Sequence, residues 1–167
     1  MMTAFRSLLL LAAPLALAVP AAAQNCISRA ESQAVVAHLL PDLIESVEDR
    51  CVPLLGRGTF LELEGERLAD SARPLSSRAW PAARQALERQ SGSRLPDEGF
   101  ILDIGRRAIT DGIADGMDGE ACRVTDELLA QLSPLPPENL ANVFALFLEQ
   151  GLNGDPNGAL RVCPVGY

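Results

Sequence analysis

The sequence contains no lysine, and histidine, tryptophan and tyrosine occur once each. Without lysine there can be no Schiff-base lysine and no serine–lysine dyad, so both of these forms of covalent catalysis are excluded. A histidine-based triad would have to use His38. None of the serines lies in a Gly-x-Ser-x-Gly motif, which marks the nucleophile of α/β-hydrolases. Aromatic residues make up 4% of the chain, which also argues against a glycosidase cleft lined by aromatic platforms.

Positive charge is scarce as well. The chain has 22 acidic residues against 14 basic ones, all arginine, and its formal net charge is −8. Nucleic acids and anionic membrane surfaces attract basic patches, so this balance argues against both as partners. We therefore expect a protein or small-ligand partner and no nucleic acid.

The amino terminus has the three parts of a secretory signal peptide. Arg6 precedes an apolar stretch over residues 8–19, and Ala21–Ala23 supply the small residues of a cleavage site. The stretch is shorter than the roughly 20 residues of a membrane-spanning helix. The sequence thus predicts a cleavable signal peptide over residues 1–23, an exported domain over residues 24–167 without a membrane span, and a periplasmic or extracellular location.

Four cysteines lie in the predicted exported domain: Cys26, Cys51, Cys122 and Cys163. An even number of cysteines in an exported chain indicates two disulfides, and these spacings match no zinc-binding pattern. Three pairings can be drawn, and the sequential one (Cys26–Cys51 and Cys122–Cys163) is the pairing that we predict. A straight helix would separate Cys26 from Cys51 by about 37 Å, so this pairing requires the chain to fold back near Pro41.

Hydrophobic spacing and helix caps predict an all-α, single-domain bundle of about five to seven short helices with two disulfides. Capping boxes at Ser28 and Thr59 begin two of the helices. Pro41 is expected to kink or break its helix and Pro74 to break another, with Ser77 opening a new helix after Pro74.

Later in the chain, Asp103 and Asp118 are further candidate caps. The Asp118 helix carries four apolar residues at helical spacing, Val124, Leu128, Leu129 and Leu132. The helix over Glu138–Gln150 is the most apolar and is expected at the centre of the bundle.

Two features could carry chemistry. Asp42 and Glu45 lie four and seven residues after His38, on the same face of a helix. A histidine beside carboxylates could act as a general base or bind a metal ion weakly. The interpretation that we favour is a solvated polar face. Oxygen-bearing side chains alternate at Asn153, Asp155 and Asn157, as in the first half of a calcium-binding loop. Proline at the twelfth position of that loop favours ordinary turn chemistry.

These observations predict no catalytic residue, no cofactor and no metal site. The favoured hypothesis is a non-catalytic exported binding or protective module. Two alternatives stay open: a small secreted enzyme that uses carboxylates or His38, and a calcium-stabilised structural protein of the cell envelope.

Overall fold

The computed structural model describes residues 26–95, 99–100, 103–105, 107–108, 112, 116–153 and 162–163. The chain forms an all-α single domain with two disulfides, as predicted. Its helices are α1 (Arg29–Leu55), α2 (Phe60–Ser91), α3 (Gly119–Leu132) and α4 (Pro137–Asn153), and the described residues between 99 and 116 are helical as well. The predicted signal peptide lies outside the described residues. Among those residues, no helix combines the length and apolar character needed to cross a membrane.

Helix α1 begins at the predicted capping box, in which Ser28 and Glu31 exchange hydrogen bonds. Of the kink or break expected at Pro41, the break does not occur, because α1 continues as one helix to Leu55. A proline removes one backbone hydrogen bond and crowds the preceding turn. Here the neighbouring Leu40 and Ile44 are both fully buried, and their packing holds this turn helical.

Helix α2 also passes through its prolines. It begins at the predicted cap Thr59 and continues through Pro74 and Pro81 to Ser91, so the expected break at Pro74 is wrong. Ser77 does not cap a new helix; its hydroxyl donates to the carbonyl of Arg73 within α2 (3.2 Å).

The two long helices pack side by side in opposite directions. Glu31, near the start of α1, pairs with Arg89, near the end of α2 (2.6 Å). The buried face of α2 is rich in small residues, namely Gly65, Ala69, Ala72, Ala83 and Ala86. A Cβ atom at Gly65 would lie 2.6 Å from the Oε2 atom of Glu48, so this glycine leaves room for the Glu48 side chain between the two helices.

The disulfides join Cys26 to Cys163 and Cys51 to Cys122, with Cα–Cα distances of 5.0 and 5.2 Å. The predicted sequential pairing is therefore wrong. The physical reason is the continuity of α1, which keeps Cys26 and Cys51 at opposite ends of one helix, whereas a disulfide needs Cα atoms within about 7 Å.

The shorter helices pack against this pair. The cap of α3 is Asp118, as predicted, and its side chain accepts from the Ala121 N–H (2.9 Å). Asp103 is not a cap, because it is itself within a helical segment. The central helix is α1, because α3 and α4 both pack more extensively against α1 than against α2. The prediction of a central last helix is thus wrong.

Candidate functional site

His38 lies in the contact between α1 and α2. Its side chain is 1% exposed, and its ring centre is 4.6 Å from that of Trp80. The Nδ1 atom is 3.2 Å from the carbonyl oxygen of Ser76, which can only accept, so Nδ1 carries the proton and donates. In return, the Ser76 hydroxyl donates to the carbonyl of His38 (2.6 Å). These two bonds lock the ring between the helices.

This geometry contradicts the solvated polar face predicted around His38. Asp42 is buried and Glu45 is half-buried. The other ring nitrogen, Nε2, is buried and has no hydrogen-bond partner among the described residues. A general base has to reach the proton it removes, and in this conformation Nε2 is closed off from solvent. The burial of His38 favours a packing function for the ring.

The calcium-like loop lies mostly beyond what the structure describes. Asn153 is the last residue of α4, and Asp155 and Asn157 fall outside the described residues. Within the described part of the chain, no three acidic, histidine or cysteine residues are grouped to hold a metal ion. Ordinary turn chemistry stays the prediction for this loop, with calcium binding by Asn153, Asp155 and Asn157 as its alternative.

A groove of about 230 Å³ runs along α2 beside the end of α3. Its lining is Phe60, Glu64, Arg67, Leu68, Ser71 and Ser133. The hydroxyls of Ser71 and Ser133 donate to carbonyls of their own helices, those of Leu68 and Ala130. Glu64 and Arg67 pair with each other. The polar groups of the groove therefore have partners already.

Helix α3 is held along one side by three residues spaced as neighbours on a helix face. Cys122 forms the disulfide to α1, and Leu129 is fully buried. Between them, the carboxylate of Asp126 accepts the N–H groups of Phe60 (3.2 Å) and Leu61 (2.7 Å) at the start of α2. The first N–H groups of a helix have no partner within it, so Asp126 caps α2 from another helix. Residue spacing gave no signal of this contact.

These anchors determine which side of α3 faces outward. Val124 is 53% exposed and Leu128 39% exposed, although both share the helical spacing of the fully buried Leu129. They lie among three exposed polar residues on the same side of the helix, Glu120, Glu127 and Gln131. We call these five residues the α3 outer face. Its spacing is that of one helical face turned away from Cys122 and Leu129.

The charge on this side of α3 is mainly negative. Arg123 pairs with both Glu120 and Glu127, so one guanidinium faces two carboxylates. Hydrogen bonding with Glu120 raises the pKa of Arg123, which keeps the guanidinium charged. Two exposed apolar side chains between carboxylates form a surface suited to contact rather than to catalysis.

Exposed apolar residues also occur on other helices, including Leu63 on α2 and Leu146 and Phe147 on α4. Single exposed apolar side chains are common on soluble proteins. The α3 outer face differs because three anchors, Cys122, Asp126 and Leu129, set the rotation of its helix. No protein-family model, curated protein or solved structure matches this chain.

Proposed function

We propose that this protein is a non-catalytic exported binding or protective module, acting in the periplasm or outside the cell, that docks a basic protein segment on the α3 outer face. The observation that carries the proposal is the exposure of Val124 and Leu128 on a firmly anchored helix. Covering apolar surface is favourable at about 25 cal/mol per Å². A rigid support also limits the entropy lost on binding.

The partner's chemistry follows from that face and from the whole chain. An apolar side chain would cover Val124 and Leu128. Arginine or lysine of the partner would share Glu120 and Glu127 with Arg123, whose one guanidinium leaves an excess of negative charge. The net charge of −8 would attract a basic partner at long range. The face extends about 16 Å along α3, so it matches a single helix or strand of the partner.

Export is supported by the disulfides. Both bonds form in this fold, and disulfides persist mainly in oxidising compartments outside the cytosol. The sequence pattern of a signal peptide over residues 1–23 agrees with that compartment.

A photo-crosslinking amino acid at position 128 tests the proposal in the native cell envelope. The matched control carries the same amino acid at position 63, because Leu63 is even more exposed (66%) but lies on α2. We expect an adduct with a basic protein from position 128 only. Equal labelling from both positions, or an acidic protein as the adduct, would contradict the proposal.

The purified partner then allows a quantitative test. Replacing Val124 and Leu128 by serine is expected to weaken binding by at least tenfold, since apolar anchors at interface centres each contribute about 1 kcal/mol or more. The variant Leu63→Ser should bind like the unchanged protein. Affinity should also fall as salt is raised from low to physiological concentration, because salt screens exposed charges.

A further inference from the structure

The two disulfides differ in their access to solvent. Cys51 and Cys122 are both 0% exposed, inside the main core. Cys26 and Cys163 are only half-buried. A disulfide is reduced when a thiolate reaches one of its sulfur atoms, so access governs which bond reacts.

The half-buried disulfide lies beside backbone contacts that join the first and last residues that the structure describes. The Cys163 N–H donates to the Ile27 carbonyl (2.8 Å), and Ile27 and Val162 form a parallel bridge. We call Cys26, Ile27, Val162 and Cys163 the terminal clasp. The side chains of Ile27 and Val162 are buried in a cluster separate from the main core.

The clasp and the buried disulfide act on different parts of the molecule. The clasp lies at the start of α1. Cys51 lies near the other end of that helix, 25 residues and about 37 Å from Cys26. Cys51–Cys122 holds α3 in place, and the clasp holds Val162 against the cluster that contains Val35. The two disulfides therefore anchor different elements.

We infer that Cys26–Cys163 is a site of thiol–disulfide exchange with a dithiol reductant, such as an oxidoreductase with a Cys-x-x-Cys motif, while Cys51–Cys122 stays closed. One thiolate of the reductant attacks Cys26 or Cys163, forms a mixed disulfide and releases the other cysteine as a thiolate, which takes up a proton. The second reductant thiolate then attacks the mixed disulfide and releases the remaining cysteine as a thiol. The protein disulfide gains two electrons and two protons, and the dithiol becomes a disulfide.

Opening the bond changes the surface near the start of α1. Without the covalent link, the backbone hydrogen bond and the packing of Val162 on Ile27 are the described contacts that keep the clasp together. Trp80, the sole tryptophan, packs against the same cluster and is half-buried. Its fluorescence therefore reports whether the clasp has opened.

The experiment treats the oxidised protein with graded dithiothreitol, quenches with iodoacetamide over time and locates the modified cysteines by mass spectrometry. We expect Cys26 and Cys163 to be alkylated at least tenfold faster than Cys51 and Cys122. The far-ultraviolet circular dichroism should keep its helical signal, and Trp80 emission should shift to longer wavelength as the clasp opens. Equal rates for all four cysteines, or loss of helix in step with the first alkylation, would overturn the inference.

Two double variants separate clasp opening from unfolding. Cys51→Ser with Cys122→Ser should still show fast alkylation of Cys26 and Cys163. Cys26→Ser with Cys163→Ser should match the Trp80 emission of the partly reduced protein, and an emission equal to that of the oxidised protein would count against the inference. If either variant fails to fold, the alkylation rates of the unchanged protein decide. The α3 outer face lies at the other disulfide, so failure of this inference leaves the proposed function standing.

Discussion

At the scale of single residues, His38 and Glu48 are two polar side chains that lie in the contact between α1 and α2. His38 is held by a bond in each direction with Ser76, so its ring is part of the packing. Glu48 lies against Gly65 in the same contact. Burial raises the pKa of Glu48, and the neighbouring charges of Asp49 and Glu66 raise it further.

Replacing Glu48 by glutamine should therefore stabilise the protein at neutral pH. The pKa of Glu48 is higher in the folded protein than in the unfolded chain, so the folded protein holds this proton more tightly. The free energy of unfolding therefore falls as the pH rises from the unfolded-state pKa through the folded-state pKa. Glutamine removes that loss. Because Glu48 is partly exposed and solvent screens its charge, we expect a gain of about 0.5 kcal/mol at pH 7.

Urea unfolding of Glu48→Gln at several pH values checks this. The gain should disappear below about pH 4, where glutamate is protonated in the unfolded chain too. Asp49→Asn, a change at an exposed neighbour, serves as the control and should have a smaller effect. A gain that persists at low pH would show that packing, not charge, explains it.

At the scale of the elements, the helices depend on contacts that their own sequences do not contain. Asp126 of α3 caps α2, and buried neighbours keep α1 helical through Pro41. Helix caps use only nearby residues, so the capping box at Ser28 and the single cap at Asp118 could be predicted from the sequence. Helix ends that rely on tertiary packing could not.

Replacing Asp126 by alanine should destabilise the protein by about 1–3 kcal/mol, since two N–H groups at the start of α2 lose a charged acceptor. Thermal and denaturant unfolding measure the change. Glu127→Ala is the matched control, because Glu127 lies next in sequence but is exposed, and its effect should stay within about 0.5 kcal/mol. Equal losses for both variants would argue against interhelical capping.

Replacing Pro74 by alanine tests the continuity of α2. Pro74 is exposed and inside the helix, where proline is about 3 kcal/mol less favourable than alanine. Pro74→Ala is expected to raise the free energy of unfolding by about 1–3 kcal/mol, reduced by the greater freedom of the unfolded chain. Pro134→Ala, in the turn after α3, should bring no such gain. If α2 ended at Pro74, the two variants would behave alike.

At the scale of the whole molecule, the two disulfides stabilise different parts of the fold. Cys51–Cys122 joins the end of α1 to the start of α3, and Cys26–Cys163 joins the chain ends that the structure describes. Each link spans a long stretch of chain, with sequence separations of 71 and 137. Both limit the freedom of the unfolded chain, which is how a disulfide stabilises in the chain-entropy account.

The double variant Cys51→Ser with Cys122→Ser should lose about 4 kcal/mol of stability for its 71-residue separation. Two hydroxyls would also be placed in a fully buried position, which adds to the loss. Differential scanning calorimetry would record a lower melting temperature. A melting temperature close to that of the unchanged protein would show that packing alone places α3 on α1.

The sequence by itself determined the helical class, the two disulfides and the caps at Ser28, Thr59 and Asp118, because each of these depends on composition or on residues within one turn. Tertiary structure decided the rest. The pairing of Cys51 with Cys122 depends on whether α1 bends at Pro41, and that depends on what packs around it. The exposure of Val124 and Leu128 likewise depends on the anchors that set the rotation of α3. Spacing along a helix can place side chains on a common face, but only the neighbours of that helix decide whether the face is covered.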